Sequence, residues 1–279
     1  MKSFLKQIFS VENDSNCHKI ITILGIKLKF YNKNKILKIL KNESMEIKNN
    51  IYDLKWKLEI MNKDQVCTFQ YLTGIELNNN FAKEREIVFS PNDVPSDHYN
   101  RYAFAVKNVS ENDVVADVAC TCGYGSFMLG QKAKRVIGVD INQPVINFAN
   151  KVYASDKIKF LCQNAQELDL PEEIDMLVSF ETIEHIPNPE LFLKKAFSFL
   201  KENGRLICSV PNETTRPWAK EGNPFHYRHY TKEQLVDLLE KCGFKVQDIY
   251  QQYFDNDYTI EQRPEEGGML IAIAVKNNH

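Results

Sequence analysis

No run of this 279-residue chain is apolar for long enough to cross a bilayer, which takes about 20 residues. Ile20–Ile26 is among its longest apolar stretches. The first residues lack an apolar segment followed by a small-residue cleavage site, so no secretory signal is expected. A disulfide framework is absent too. Seven cysteines, an odd number, are scattered through apolar runs (Cys162, Cys208) and helical patterns (Cys242), the usage of a reducing compartment. Cys120 and Cys122 have no second pair nearby, which favours a tight turn over a zinc site. Net charge is also scarce, at −2, but it is uneven. Residues 1–41 hold nine lysines against Glu12 and Asp14, so this arm carries +7 and the remainder −9. An acidic main body excludes the basic groove that a nucleic-acid substrate demands. The arm suits anionic lipid or an acidic partner, and equally a solvated surface. The expected location is cytoplasmic, either free or peripheral to the inner face of the membrane.

What is present is concentrated between Asn112 and Asp140, NDVVADVACTCGYGSFMLGQKAKRVIGVD. Val114–Val118 reads as a buried parallel strand. Gly123 and Gly125 lie in the turn after it and would let backbone pass close to a ligand. Arg135–Val139 is the next strand, with Asp140 at its carboxyl end. In open α/β sheets ligands bind at that edge, and a carboxylate there can accept from both ribose hydroxyls. A dinucleotide would call for G-x-G-x-x-G, but counting from Gly123 the third position is Met128. A nicotinamide-dependent dehydrogenase is therefore disfavoured.

The stretch Asp117-Val118-Ala119-Cys120-Thr121-Cys122-Gly123-Tyr124-Gly125-Ser126 resembles the first motif of class I S-adenosylmethionine-dependent methyltransferases. Thr121 departs from it, standing where that family has glycine. A β-branched residue is poorly suited to positive φ, so either the turn is re-aimed or cofactor affinity is weakened. A second block, Phe180-Glu181-Thr182-Ile183-Glu184-His185-Ile186-Pro187-Asn188-Pro189, resembles the E-x-x-E-H block of the ubiquinone-biosynthesis and sugar O-methyltransferase group. Val210-Pro211-Asn212, Asn223-Pro224-Phe225-His226 and the leader His18–Phe30 resemble segments of enzymes of bacterial surface-polysaccharide (capsule or lipopolysaccharide) biosynthesis.

Along the chain, residues 1–36 form the basic arm. Phe4, Leu5, Ile8 and Phe9 have helical spacing, which fits a membrane-surface helix or a helix packed on the main domain. His18–Phe30 alternates around Gly25 as two short strands or a hairpin. Residues 37–66 read as a helical, coiled-coil-like segment: Leu40, Ile47, Ile51, Leu54, Leu58 and Met61 follow a heptad pattern, so Leu37–Met61 suits a homodimer seam or a single surface helix. Residues 81–279 read as the main domain, opening with a helix over Asp97–Val109. Strands are expected at Val114–Val118, Arg135–Val139, Lys159–Cys162, Met176–Phe180, Leu206–Val210, Lys245–Tyr250 and Met269–Val275. Helices are expected near Ser126–Gln131, Gln143–Ala154, Pro189–Lys201 and Lys232–Cys242. The alternation predicts a doubly wound, seven-stranded, mostly parallel α/β sheet, Rossmann-like. The resemblance implies an antiparallel last strand.

The resemblance implies S-adenosylmethionine as cofactor and assigns residues to it. Asp140 would bind the ribose and Ile141 cover the adenine face. Asn164 would meet the adenine amino group, with Ala165 beside it; as a lone loop asparagine it would otherwise be a turn former. Asp117 would orient the loop or the methionine amino group, and Ala119, Gly123 and Phe180 would line the pocket. Arg101, next to Tyr102 in HYNRYAFA, could pair with the methionine carboxylate; an arginine on a surface helix is the competing reading. For a hydroxyl acceptor a base helps by about 10²–10⁴-fold. His185 is the first candidate, although it could instead cap the next helix. His226, in the insertion Pro211–Tyr230, is second, and His98 third. His226-Tyr227-Arg228-His229 hints at a metal, but without a carboxylate set the expectation is none. The insertion Gln251–Gly268 would lid the acceptor. The expected function is O-methylation of a small-molecule or nucleotide-linked sugar acceptor in surface-glycan biosynthesis. A small-metabolite N-methyltransferase and a non-catalytic scaffold are the alternatives.

Overall fold

The structure, a computed structural model, describes residues 95–276 and the backbone of three strands near the N-terminus. The chain divides into two units, Met1–Val66 and Cys67–His279. In the first, β1 (Phe9–Asn13), β2 (Lys19–Ile23) and β3 (Ile26–Phe30) form an antiparallel sheet in that order. Ile23 pairs with Ile26, so β2 and β3 make a hairpin across the Gly25 region. Phe9 and Ser10 open a strand rather than closing the helix that the apolar spacing suggested. The heptad segment Leu37–Met61 lies outside the described residues.

The second unit carries eight strands in one sheet. They are β4 (Val114–Val118), β5 (Arg135–Asp140), β6 (Ile158–Cys162), β7 (Ile174–Phe180), β8 (Leu200–Pro211), β9 (Phe244–Gln252), β10 (Ile260–Glu261) and β11 (Met269–Lys276). Their spatial order is β10-β9-β11-β8-β7-β4-β5-β6. β4 pairs parallel with both β5 and β7, and β8 extends the parallel run beyond β7. β11 lies antiparallel between β8 and β9. The chain thus winds outward from β4 in two directions, and β4 and β7 flank the switch point, where open α/β sheets bind ligands. The expected seven strands become eight because β10, inside the insertion read as a lid, pairs with Gln251 and Gln252 of β9.

Helices α1 (Ser96–Asn108), α2 (Tyr124–Gly130), α3 (Gln143–Val152), α4 (Pro189–Phe199), α5 (Trp218–Glu221) and α6 (Lys232–Lys241) connect the strands. Three of their starts are set by side chains. Asn142 caps α3 and Asn188 caps α4, each with a proline in the first two positions, and Thr231 with Gln234 forms a capping box on α6. Each such cap is worth about 1 kcal/mol. α4 stops at Phe199, short of the expected Lys201, because β8 begins at once. Leu200 pairs with Ile174 and Arg205 with Met176, so residues 201–204 bulge out of the ladder, with Asn203 at φ 60°.

The central strands are buried on both faces, as their uninterrupted Val, Ile and Leu runs require. Val118, Val139, Leu177, Phe192, Leu206 and Leu270 belong to one continuous core. Arg205 ties helix to sheet, donating to the Asn108 carbonyl at 2.8 Å and pairing with Asp113 at 2.5 Å. Among the described residues no helix is long and apolar enough to cross a membrane.

Gly138 shows how closely the sheet is covered. A Cβ there would lie 2.5 Å from Phe160 Cδ1 and 2.8 Å from Ser126 Oγ. We expect Gly138→Ala to cost about 1–3 kcal/mol through overpacking, read as a lower urea midpoint; an unchanged midpoint would contradict this packing.

Candidate functional site

The turn after β4 is built from left-handed residues. Ala119, Thr121 and Gly123 have φ of 64°, 45° and 88°. The turn is therefore not re-aimed around Thr121; the β-branched residue adopts the strained conformation, at a cost of roughly 1–2 kcal/mol. Such strain persists where the surroundings over-determine it, and here they do. The Cys120 N–H donates to the Val139 carbonyl at 3.0 Å and the Gly123 N–H to the Cys120 carbonyl at 2.9 Å. The Thr121 N–H donates to Asp140 Oδ2 at 3.2 Å. The other Asp140 oxygen accepts from the Asn142 N–H at 2.9 Å. Asp140 is buried at the end of β5.

The two turn glycines lie hard against side chains of the chain itself. A Cβ on Gly123 would lie 2.8 Å from the Phe160 ring and 2.9 Å from Ala149 Cβ. One on Gly125 would lie 2.0 Å from Tyr102 Cζ. They admit side chains of this protein. Tyr102 needs that room because its hydroxyl donates to Asp117 Oδ1 at 3.0 Å, while Ser126 Oγ donates to Oδ2 at 2.6 Å. Asp117, wholly buried, thus orients the loop, and both its oxygens are engaged. Phe180, at the end of β7, packs edge-on against Tyr102 with ring centroids 5.1 Å apart.

Of the residues assigned to an adenine ring, Ile141 is 56% exposed beside Asp140. Asn164 Oδ1 accepts from the Gln166 N–H at 3.0 Å and caps the short 3-10 turn that begins at Ala165. Arg101 is not a surface arginine: it is 1% exposed. Its Nη1 donates to Gln252 Oε1, and Nη2 lies 3.5 Å from Asp97 and 3.9 Å from Glu181. Its Nε and Nη2 make no hydrogen bond, nor does Glu181 Oε1. Leaving such buried groups unmatched costs about 1–3 kcal/mol each. Among the described residues, the unmatched buried side-chain atoms fall on Arg101, Ser179, Glu181, Glu184 and Tyr230. Three of these five lie within the last turn of chain leaving β7, as expected of a polar ligand site.

His185 and His226, far apart in sequence, come together. Their ring centroids are 4.5 Å apart, and both line a cleft of about 320 Å³ with Trp218, Pro224, Phe225 and Tyr227. His185 Nδ1 lies 3.2 Å from the Phe225 carbonyl, so Nδ1 carries the proton in the neutral ring and Nε2 the lone pair. Burial, then the neighbouring His185 and His229, lowers His226 to about 4. His98 does not line the cleft; it sits beside Asp97 at the start of α1. Burial pushes the Glu184 carboxyl well above the usual carboxylate range.

The two insertions are stitched together. Asn212 Nδ2 donates to Glu266 and to the Gly267 carbonyl, both at 2.9 Å, and Arg216 lies over the Phe254 ring at 5.4 Å. Asn100 on α1 donates to the Asp257 carbonyl at 2.6 Å. The sequence reading missed His229, Asn223, Gln252 and Ser126 as partners. The H-Y-R-H spacing was a visible signal for His229; for the others only the fold supplies the neighbour.

The chain is similar to known methyltransferases. Residues 116–208 match a family model described as a methyltransferase domain. A probable S-adenosylmethionine-dependent methyltransferase of Mycolicibacterium smegmatis is 33% identical over 165 residues, 58% of this chain and 63% of that one. A ubiquinone biosynthesis O-methyltransferase of Bradyrhizobium diazoefficiens is 32% identical over 182 residues, 57% of this chain and 70% of that one. The chain spans about half of two Mycobacterium tuberculosis relatives, 48% of each. Among solved structures, an N-methyltransferase of Bradyrhizobium japonicum in complex with S-adenosylhomocysteine shares the fold at a TM-score of 0.55, 13% identity, 72% of this chain and 98% of that one.

Burial raises the Asp117 carboxyl from 3.8 to about 7, against the pull of the Ser126 and Tyr102 hydroxyls. A raised value in the folded state means that protonation favours the fold. That contribution is fully present below the unfolded value and is lost as pH rises through about 7, in total on the order of 4 kcal/mol. The unfolding free energy of the wild type should therefore fall, relative to Asp117→Asn, between about pH 4 and pH 8. Parallel pH profiles for the two proteins would contradict the assignment.

Proposed function

This chain belongs to the S-adenosylmethionine-dependent methyltransferases, and from that premise we propose that it methylates a hydroxyl oxygen of a sugar or sugar-linked acceptor in bacterial surface-glycan biosynthesis. S-adenosylmethionine supplies an electrophilic methyl group on a sulfonium that is already a good leaving group. The protein's part is to bind, align and deprotonate. The residues present fit that cofactor. Asp140 accepts from the ribose hydroxyls, and Ile141 covers the adenine face, with Asn164 and Ala165 at its edge. The Arg101 nitrogens that make no hydrogen bond in the folded chain take the methionine carboxylate. Ala119 and Gly123 shape the turn, and Asp117, through Tyr102, holds it in place.

One observation carries the reading. The carboxyl end of β7 joins the two halves of the site: Phe180 packs on the Tyr102 that anchors the turn, and five residues later His185 stands in the cleft. An acceptor hydroxyl held there is within reach of a base whose lone pair is on Nε2. Alignment to about 3–3.5 Å and proton removal are what the protein must add. Oxygen as the accepting atom is supported by the ubiquinone biosynthesis O-methyltransferase relative. A ring-shaped acceptor is supported by Trp218 and Tyr227, aromatic side chains that line the cleft and remain exposed. In this proposal the basic arm meets anionic lipid, at the inner face of the membrane, and Leu37–Met61 pairs two copies.

The test is transfer of a labelled methyl group to a panel of nucleotide-linked sugars, simple glycosides and catechol-type phenols. Turnover on sugars, reduced about 10²–10⁴-fold by His185→Ala, is the expected result. Full turnover in His185→Ala would remove the base assignment, and transfer confined to phenols would remove the sugar.

A further inference from the structure

We propose that Glu221, His226 and His229 form a binding site for one divalent transition-metal ion, zinc in the first instance, within the Pro211–Tyr230 insertion. The sequence offered two histidines but no carboxylate to go with them. The fold supplies it: one ligand atom from each of the three residues lies within 4.8 Å of the other two.

The hydrogen-bond polarities around these rings leave the Glu221 carboxylate facing a ring nitrogen that has no proton to give it. Asn223 Oδ1 accepts from the Phe225 N–H at 3.0 Å, so its Nδ2 faces His226 Nε2, at 2.9 Å, and that nitrogen must accept. The proton of neutral His226 is then on Nδ1, pointing at His229 Nε2, 2.7 Å away. His229 has committed its own N–H, on Nδ1, to the Arg216 carbonyl at 2.6 Å. Its Nε2 also stands 3.2 Å from Glu221 Oε2. Two ring nitrogens and a carboxylate oxygen therefore converge with a single proton among them. The His229 ring is 0% exposed, so water does not relieve the contact. A metal ion in place of the shared proton would take all three donor atoms at once.

Three features favour the metal. The separations are close to those of a tetrahedral zinc site, where bonds of about 2.0–2.1 Å put donors roughly 3.3 Å apart. The Glu221–His229 pair is already at that spacing, and the two rings need to part by about 0.6 Å. The outer partners are in place as well. A ligating histidine usually donates its other N–H to a carbonyl, as His229 does to Arg216. Glu221 Oε1 accepts from Arg216 Nε at 2.8 Å, which turns Oε2 toward the histidines. Finally, the Arg216 charge offsets that of Glu221, so a cation is met by imidazole lone pairs rather than by net negative charge. That selects zinc over magnesium or calcium. On binding, His226 would carry its proton on Nε2, and the Asn223 amide would exchange its bond from the Phe225 N–H for that proton. Because His226 lines the cleft, the ion would pin the insertion at the cleft wall, a role that does not depend on the methyl-transfer reading.

The experiment is zinc titration of the full chain, free of any affinity tag, in competition with a chromogenic chelator and in the presence of excess magnesium. One zinc ion per chain, undisturbed by magnesium and weakened at least about tenfold in Glu221→Gln and in His229→Asn, is the expected result. Glu221 is exposed, so its variant tests the site even if the His229 variant fails to fold. Absence of stoichiometric binding would overturn the proposal. So would zinc affinity unchanged by Glu221→Gln but lost in His226→Ala, which would move the ion to the Glu184–His185 side.

Discussion

A turn that holds Ala119, Thr121 and Gly123 at positive φ cannot stand by itself. It is held between two buried carboxylates at the ends of adjacent strands, and the rest of the site depends on that clamp. Asp140 takes the Thr121 N–H, and Asp117, one strand over, takes the hydroxyls of Tyr102 and Ser126. Tyr102 can reach Asp117 only because Gly125 has no Cβ, and α1 is thereby fixed across the end of the sheet. With α1 in place, Arg101 is carried into the interior beside Glu181. Burial of this much unmatched polar surface opposes folding; the extensive apolar core of the sheet offsets it, and a ligand that matched it would add stability.

The second half of the site is hung from the first. β7 ends beside the Tyr102 ring and continues into the turn bearing Glu184 and His185. The Pro211–Tyr230 insertion closes over that turn, its Tyr227 N–H donating to the Glu184 carbonyl at 2.8 Å. Asn212 then holds the neighbouring insertion through Glu266 and Gly267. The cleft is thus walled by chain outside the sheet, which is where a common fold acquires its own acceptor.

Most of the sheet could be read from the sequence, because uninterrupted Val, Ile and Leu runs bounded by turn residues admit few other structures. Val114–Val118 was legible to the residue. The strand pattern Leu206–Val210 marks only the second part of β8, because residues 201–204 bulge out between the Leu200–Ile174 and Arg205–Met176 pairs and carry no alternating apolar signal. β10 is two residues long and owes its existence to β9, so no local pattern announces it. The positive φ at Thr121 was foreseeable from its place in the motif. The roles of Gly123 and Gly125 were not, since what a missing Cβ admits is decided by Phe160 and Tyr102, which lie far off in sequence. For Arg101 the sequence leaves a ligand-pairing and a surface reading open, and only Gln252, from the other end of the domain, shows that it is buried. The pairing of His185 with His226 depends on an insertion whose path no periodicity encodes.

The most direct test of the account is thermal unfolding of the wild type and of Asp140→Ala with S-adenosylhomocysteine or with NAD. At about 100 times its dissociation constant, a ligand that binds the folded state alone adds about 2.7 kcal/mol. The account predicts a stabilising shift with S-adenosylhomocysteine, none with NAD, and loss of the shift in Asp140→Ala. A shift with NAD instead, or none with either ligand, would contradict it.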